Sequence, residues 1–440
     1  MKENKFIQIL FILLLSVAMM FSFVACTPDG GDDDGSSGGG GTGSSQGTGL
    51  PGSESGTDGD ASTPVSDFLY IEHQSTIVIT GCNSAQKTIV FPAIINSKPV
   101  VAIMTGAFMQ NTTVETAVLL EGIERIEAAA FYGCSNLKTI NIPQSVKDIG
   151  SDAFYGCSSL EKVKAVNLDA WLQISFASGT ANPLSNSGAY LCINNQNVVN
   201  LSFAEGTKKT NRNAFYGCTT IESVAFPSSF EIVEMYSFQN CSGIKTISIP
   251  AQSSLDEIMP YAFANCDSLT SVSINVKKRI WWNAFDGCDS LVNVQIGKDV
   301  KTIDNSVFAN CILMETVVFD ENSVLETIGE KAFEKTSLKN ITLPASLKDI
   351  GPTAFAYTKI EHLVVPAGIK TVGYRAFENS SLKTITFGDG TQFYSIGNDL
   401  FFFCSSLEKV DFGSGSVLPQ GADIDEILDG APEGVTVILP

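Results

Sequence analysis

The segment LKTINIPQSVKDIGSDAFYGC, residues 137–157, contains the pattern that decides the fold, because the chain repeats it with small changes. Its phenylalanine recurs at intervals of 22 to 25 residues, apart from one longer interval after Phe154. A regular interval of this length is typical of a solenoid, in which each repeat buries its apolar face only against neighbouring repeats. The recurring residues are Phe108, Phe131, Phe154, Phe215, Phe238, Phe263, Phe285, Phe308, Phe333, Phe355, Phe377 and Phe401.

Other positions keep a fixed spacing from this phenylalanine. An apolar residue, usually isoleucine, stands five residues before it, alanine commonly stands one residue before it, and cysteine often stands three residues after it. In the Leu-x-x-Ile-x-Ile-Pro portion, residues 137–143, inward and outward side chains alternate as in a strand, and the proline ends the strand. We therefore predict a β-rich, leucine-rich repeat solenoid with short parallel β-strands.

The order Ile-Gly, Ala-Phe-x-x-Cys and Leu-x-x-Ile-x-Ile-Pro resembles the BspA-like leucine-rich repeat proteins over residues 68–440. The resemblance implies display on a bacterial surface and adhesion to host matrix proteins, other cells or surface polymers. The glycine after the isoleucine is replaced in some repeats, where we expect a different local turn within the same solenoid. It is kept at Gly150, Gly329, Gly351, Gly373 and Gly397, whereas Met259, Trp281 and Asp304 replace it.

Residues 1–25 are interpreted as a lipoprotein signal peptide. Lys2 and Lys5 precede an apolar run over residues 6–24, and Ala25 precedes Cys26. The segment resembles a bacterial lipobox, which implies that Cys26 becomes the lipid-modified first residue and that its acyl chains anchor the protein. The alternative is an uncut transmembrane anchor, because the run approaches the ~20 residues that a membrane span needs.

Residues 26–64 are predicted to be the lipidated cysteine followed by a disordered tether. Residues 27–64 consist mainly of Gly, Ser, Thr and Asp, with seven acidic residues and no Lys or Arg. Such a composition cannot bury a core. We interpret residues 65–107 as an N-terminal cap and first repeat, and residues 108–440 as the solenoid.

An insertion at about residues 165–205 lengthens one repeat and carries several aromatic residues. The resemblance implies a short helix and a hairpin built onto that repeat. Trp171 has two readings: it contacts a ligand, or it anchors the insertion to the solenoid. The second reading is favoured.

The outward strand positions are the candidate ligand surface. Thr139, Asn141, Thr246, Ser248, Ser271 and Ser273 belong to an uncharged surface of hydroxyls and amides, which would hydrogen-bond a polypeptide or a glycan along an extended face. The alternative is that Thr and Ser are tolerated on a solvated sheet and bind nothing. Trp281 and Trp282 are candidate surface aromatics, with packing against the adjacent repeat as the alternative.

Charge and composition exclude several classes of function. Residues after position 64 include 39 acidic and 25 basic residues, so nucleic acid and anionic membrane surfaces are not expected partners. The two histidines lie in no nucleophile motif and the cysteine column lacks zinc-ligand spacing, so we expect no catalytic residue, metal or cofactor. The column is interpreted as buried thiols, with disulfides between neighbouring repeats as the alternative.

The sequence thus predicts a lipid-anchored protein of the bacterial cell surface that binds an extracellular protein or glycan without catalysis. We expect a monomer that meets the membrane only through its lipid. The alternatives are a polysaccharide-capture lipoprotein that stacks sugars on Trp171, Trp281 and Trp282, a structural spacer, and an enzyme with a site in the insertion.

Overall fold

A typical repeat folds into one coil that contains a strand of three or four residues, a two-residue strand, and a turn that carries the phenylalanine and, in most repeats, the cysteine. The computed structural model describes residues 62–186 and 188–440. These residues form a parallel β-solenoid of about 16 turns with little helix. The solenoid predicted from the repeat pattern is therefore confirmed.

The strands alternate along the chain between the two kinds. In chain order they are β1 (Phe68–Glu72), β2 (Ile77–Cys82), β3 (Thr88–Phe91), β4 (Ile94–Ile95), β5 (Lys98–Ile103), β6 (Thr116–Leu119), β7 (Arg125–Ile126), β8 (Thr139–Ile142), β9 (Asp148–Ile149), β10 (Lys162–Ala165), β11 (Ser175–Phe176), β12 (Tyr190–Ile193), β13 (Gln196–Asn197), β14 (Asn200–Ser202), β15 (Ser223–Ala225), β16 (Ile232–Val233), β17 (Thr246–Ser248), β18 (Glu257–Ile258), β19 (Ser271–Ile274), β20 (Arg279–Ile280), β21 (Asn293–Ile296), β22 (Thr302–Ile303), β23 (Thr316–Phe319), β24 (Thr327–Ile328), β25 (Asp349–Ile350), β26 (His362–Val365), β27 (Thr371–Val372), β28 (Thr384–Phe387), β29 (Ser395–Ile396), β30 (Lys409–Asp411) and β31 (Thr436–Ile438).

Two long parallel ladders, built from the two-residue strands and from β2 and β5, keep the coils in register. One ladder runs β2-β5-β7-β9-β11 and the other runs β16-β18-β20-β22-β24-β25-β27-β29. The strands of three or four residues form a second surface, the long-strand face, whose ladders are interrupted. Its sheets are β3-β6-β8-β10-β12-β13, β14-β15-β17, β19-β21-β23 and β26-β28-β30-β31.

The phenylalanine column forms the centre of the core. Consecutive rings stack nearly parallel, as between Phe238 and Phe263, whose centroids lie 5.1 Å apart at an interplanar angle of 3°. The stack breaks only where the insertion separates Phe154 from Phe215, and it otherwise runs through every coil with a phenylalanine at this position. Stacked aromatic pairs add specific attraction to the free energy of burying their area.

The cysteine column forms hydrogen bonds between coils. The Cys134 thiol donates to the Phe108 carbonyl at 3.0 Å, and the Cys241 thiol donates to the Phe215 carbonyl at 3.0 Å. Burial raises the pKa of the Cys241 thiol well above its ordinary value, which keeps it neutral and able to donate. All ten cysteines in the described part of the chain are free. The column therefore acts as small, buried hydrogen-bond donors.

The turn around the phenylalanine contains two residues with a left-handed backbone in every repeat, two positions before and two positions after the ring. Glycine and asparagine are the residues that adopt this backbone most readily. They occupy the later position in most repeats and so form a further column, which was not among the positions identified from the sequence. Its members are Gly133, Gly156, Gly217, Asn240, Asn265, Gly287, Asn310 and Asn379.

Thr353 is strained at the earlier left-handed position, and we expect its replacement by glycine to stabilise the protein. Its φ is 49°, it is β-branched, and its buried hydroxyl has no hydrogen-bond partner in the described structure. Thr353→Gly should raise the free energy of unfolding by about 1 kcal/mol in urea denaturation. The control Ser306→Gly, at the same position in another coil with a φ of 55° and no β-branch, should change it by less than about 0.5 kcal/mol. A loss of stability in Thr353→Gly would show that the threonine is not strained.

The insertion and the two ends of the solenoid depart from the repeat. In the insertion, Asn167 caps helix α1 (Leu168–Trp171), the chain forms 3-10 turns at Gly179–Ala181 and Pro183–Ser185, and β12 and β13 pair as a hairpin. Near the start, a 3-10 turn at Val65–Asp67 precedes the antiparallel pair β1-β2. Near the end, Asp423 caps helix α2 (Ile424–Ile427) before β31. No helix in residues 62–186 or 188–440 is long and apolar enough to cross a membrane.

Candidate ligand surface

The long-strand face carries the six polar residues predicted as ligand contacts. Thr246 and Ser248 on β17, together with Ser271 and Ser273 on β19, point outward and are exposed, while Val272 between the latter two is buried. Thr139 and Asn141 on β8 also point outward but are half-buried. The Asn141 amide donates to the Leu119 carbonyl at 3.2 Å. The insertion separates β8 from β17, so the structure brings four of the six residues together.

The outward positions from β14 to β28 form two rows of uncharged side chains, which we call the polar face. Charged residues return at each end, with Lys162 and Lys164 on β10 and Lys409 and Asp411 on β30. One row contains Asn200, Ser223, Thr246, Ser271, Asn293, Thr316, Asn340, His362 and Thr384, and the other contains Ser202, Ala225, Ser248, Ser273, Gln295, Val318, Thr342, Val364 and Thr386.

Of the eighteen residues of the polar face, only Thr246, Ser248, Ser271 and Ser273 were predicted as ligand contacts. The residues that were missed include Thr316, Val318, His362 and Val364. The repeat of Thr316 has Met314 where other repeats have leucine, which hides the strand pattern. The first outward strand position lies seven or eight residues after the phenylalanine in every repeat that has one. Counting forward from each phenylalanine would therefore have located the strand positions of Thr316, Val318, His362 and Val364.

Two grooves lie on the polar face where its ladders are interrupted. One, of about 600 Å³, lies between β23 and residues 340–343 and is lined by Thr316, Val318, Asn340 and Thr342 among others. The other, of about 590 Å³, extends from β17 to β23. Within the described chain only an isolated bridge between Thr316 and Asn340 joins β23 to residues 340–343.

The interruptions follow the two longest regular repeats, which begin at Phe238 and Phe308 and extend over 25 residues. The extra residues lie between the long strand and the short strand of the same coil, at residues 249–256 and 320–326. The short-strand ladder is unbroken at both coils. Length alone does not account for the grooves, because seven residues also separate β28 from β29 and β28 still pairs with β30.

The three candidate tryptophans lie away from the polar face. Trp171 has no exposed surface, and its indole donates to the Ala214 carbonyl at 2.8 Å. The prediction that Trp171 contacts a ligand directly is therefore wrong, because the buried ring anchors the insertion to the next coil. Trp281 and Trp282 follow β20 on the short-strand side. The Arg279 guanidinium lies 4.6 Å from the Trp281 ring centroid, and Trp282 packs edge to face against Tyr261 at 5.1 Å.

Ion pairs between neighbouring coils lie beside the long strands. Glu115 accepts a hydrogen bond from Lys138 at 2.8 Å and also pairs with Lys87, which lowers the pKa of the Glu115 carboxyl to about 2. Hydrogen bonding from Lys383 likewise lowers the pKa of Glu361. These pairs are exposed, so each contributes modestly to stability.

We expect the thermal stability of the protein to fall on acidification, partly because of Glu115. Its pKa in the folded state, about 2, is below its ordinary value of 4.5, so its contribution is present above pH 4.5 and is lost as the pH falls towards 2. Melting temperatures measured from pH 7 to about pH 2 should show a shallower decline for Glu115→Gln than for the unchanged protein. Glu433→Gln, which removes an exposed acid without an ion pair in the described structure, is the control and should leave the slope unchanged.

Possible metal ligands and the position of His362 bear on whether the described residues could form a metal site or a catalytic site. No cluster of three or more His, Cys, Asp or Glu residues within them could hold a metal ion. The ring nitrogen Nδ1 of His362 lies 2.9 Å from the Thr384 hydroxyl on the exposed sheet. The arrangement is suited to hydrogen bonding of a ligand along the face.

Comparison with known proteins places the chain among repeat proteins. A family model described as "BspA type Leucine rich repeat region (6 copies)" matches residues 85–180, 186–315 and 278–408. A leucine-rich repeat protein from Bacteroides ovatus ATCC 8483 is 22% identical with a TM-score of 0.57, and the match covers 79% of this chain and 94% of that one.

Two further solved structures match less closely. A leucine-rich cell surface protein from Faecalibacterium prausnitzii A2-165 is 19% identical, with 83% of this chain and 97% of that chain covered and a TM-score of 0.45. The pneumococcal vaccine antigen PcpA is 17% identical, with 86% and 93% covered and a TM-score of 0.41. No curated protein sequence matched. At these identities the similarity to the Bacteroides protein supports the fold alone.

Proposed function

The chain belongs to the family of BspA-type leucine-rich repeat proteins, and on that premise we propose that it is a lipid-anchored cell-surface protein that binds an extracellular protein without catalysis. The observation that carries this proposal is the polar face, with its exposed hydroxyl and amide groups and its two grooves. An open row of such groups hydrogen-bonds a partner along its length, as the extended surfaces of solenoids do.

The anchoring part of the proposal rests on residues 1–64, of which residues 1–61 lie outside the described residues. The charged start, the apolar run and Ala25-Cys26 support export and lipidation at Cys26, and residues 26–64 would serve as the tether. In the producing bacterium, the protein should partition with membranes and incorporate labelled palmitate, and Cys26→Ser should abolish the labelling. Unchanged membrane retention of Cys26→Ser without labelling would instead support an uncut transmembrane anchor.

The binding part is tested with purified residues 27–440 on a panel of extracellular matrix proteins, with neutral polysaccharides alongside. Thr246→Lys combined with Ser248→Lys should weaken binding to the matrix protein at least ~10-fold, because binding would remove water from two lysine charges that have no partner at the contact. The control is Ser395→Lys combined with Ser405→Lys, two exposed serines outside the polar face that receive the same added charge. Equal losses in both variants would contradict binding through the polar face.

The same panel tests whether the protein captures polysaccharide. That function would depend on sugar stacking by the three tryptophans, of which Trp171 is buried and the other two contact Arg279 and Tyr261. Binding of a polysaccharide but of no protein would overturn the proposed function. Absence of all binding would favour a structural spacer.

A further inference from the structure

The middle of the polar face is its most exposed part. From β17 to β26 every outward side chain of the two rows is exposed, and we call these positions the central window. They are Thr246, Ser248, Ser271, Ser273, Asn293, Gln295, Thr316, Val318, Asn340, Thr342, His362 and Val364. Both grooves lie within it. A partner that follows the face across several coils would therefore meet these residues first.

Most polar groups of the central window are unused within the protein. Gln295 donates to Asp320 at 2.8 Å, and His362 contacts Thr384. The hydroxyls of Thr246, Ser271 and Ser273 make no side-chain hydrogen bond to other described residues, and the same holds for the amides of Asn293 and Asn340. Such groups are free to exchange water for the polar groups of a partner.

Three ion pairs lie beside the central window. Each ion pair joins an acid of one coil to a base of the next at the positions that precede the long strands. The pairs are Glu222–Lys245 at 2.9 Å, Glu315–Lys339 at 2.8 Å and Glu361–Lys383 at 2.7 Å. These pairs cancel the charges that precede the long strands, and the carboxylate that remains in the groove lining, Asp320, accepts a hydrogen bond from Gln295 and forms no ion pair with other described residues. Charge complementarity favours an uncharged partner.

The composition of the central window favours a polypeptide over a glycan. Its twelve positions include no Phe, Tyr or Trp, so it offers no flat aromatic face for a sugar ring. It does include Val318 and Val364, which are 51% and 68% exposed and suit small apolar side chains. Beside Val318, the backbone of residues 317–319 forms no hydrogen bond with residues 341–343. An extended peptide combines main-chain polar groups with side chains of this kind.

We propose that the central window recognises an extended, uncharged segment of a protein partner. This inference rests on the proposed function and specifies the chemistry of its partner. The segment would cross the strands and place its main-chain amides against the hydroxyl and amide rows, with small apolar side chains against Val318 and Val364. Binding would depend on hydrogen bonds and contact area, and it would therefore change little with salt.

The test uses residues 27–440 and a library of random dodecapeptides displayed on phage. Selected peptides should carry little net charge, and their affinity should change less than ~2-fold between about 50 and about 500 mM NaCl, because no ion pair is formed for salt to screen. Ser273→Lys combined with Gln295→Lys should weaken them at least ~10-fold, whereas the control with Ser395→Lys and Ser405→Lys should change affinity less than ~2-fold.

Three outcomes would overturn the inference. Selected peptides could be highly charged and lose affinity with salt, they could bind the window variant and the control equally, or the library could yield no binder. If the matrix-protein panel still shows binding that Thr246→Lys and Ser248→Lys remove, the proposed function stands while this inference fails. If neither the panel nor the library binds, both fail.

Discussion

Replacing Phe263 with alanine should lower the free energy of unfolding by about 3–5 kcal/mol. Its ring is fully buried between Phe238, at 5.1 Å, and Phe285, at 5.2 Å, both measured between centroids. Removal of the ring leaves a cavity between two coils whose short-strand ladders fix their spacing, so the neighbouring rings cannot close the gap. Urea denaturation followed by circular dichroism measures the change.

The control for this prediction is Tyr394→Ala, which removes an aromatic ring that is 83% exposed. It should change the free energy of unfolding by less than about 0.5 kcal/mol. If Phe263→Ala lost no more than the control, the phenylalanine stack would not be the core of the solenoid.

Gly373→Ala should also destabilise the protein strongly, by about 1–3 kcal/mol or more. A Cβ at Gly373 would lie 2.3 Å from the Pro352 nitrogen and 2.6 Å from the Gly351 carbonyl carbon, both backbone atoms of the preceding coil. A Cβ added at Gly351 or Gly397 would likewise lie 2.5 or 2.4 Å from a backbone nitrogen of the preceding coil. The glycines therefore let consecutive coils approach closely, and a methyl group would force them apart.

Gly81→Ala is the matched control, because its added Cβ would meet its nearest neighbour, the Ala107 carbonyl oxygen, at 3.4 Å. We expect a loss below about 1 kcal/mol for this change in thermal or urea unfolding. A Gly373→Ala protein as stable as Gly81→Ala would show that the backbone of these coils moves apart without cost. That result would remove the physical reason for the glycine column.

Much of the fold follows from columns of residues in the sequence. Strict recurrence of Phe, Ile, Ala and Cys leaves one way to bury every copy, which is to stack the copies. The family match and the structure confirm the solenoid. The glycine and asparagine column two residues after the phenylalanine was equally visible, but its meaning depends on a left-handed backbone that appears only once the turn is built.

The residues of the candidate ligand surface were harder to predict from the sequence than the fold. Ser271 and Ser273 could be placed outward from alternation alone, and they are exposed. Trp171 could not be placed, because its indole bonds to Ala214, 43 residues away in the chain. Half-burial of Thr139 and Asn141 likewise depends on neighbouring coils and on the insertion that separates β8 from β17.

The sequence by itself determined the repeat, the inward columns and the uncharged character of the outward strand positions, because these depend on residue type at fixed spacing along one strand. Only the tertiary structure decided where the long-strand ladders break and hence where the grooves lie. The short-strand ladder keeps successive coils in register, but pairing between long strands depends on how each two coils stack, since β28 pairs with β30 despite the seven residues that follow it. Pairing between coils is a property of the stack and has no counterpart in a single repeat.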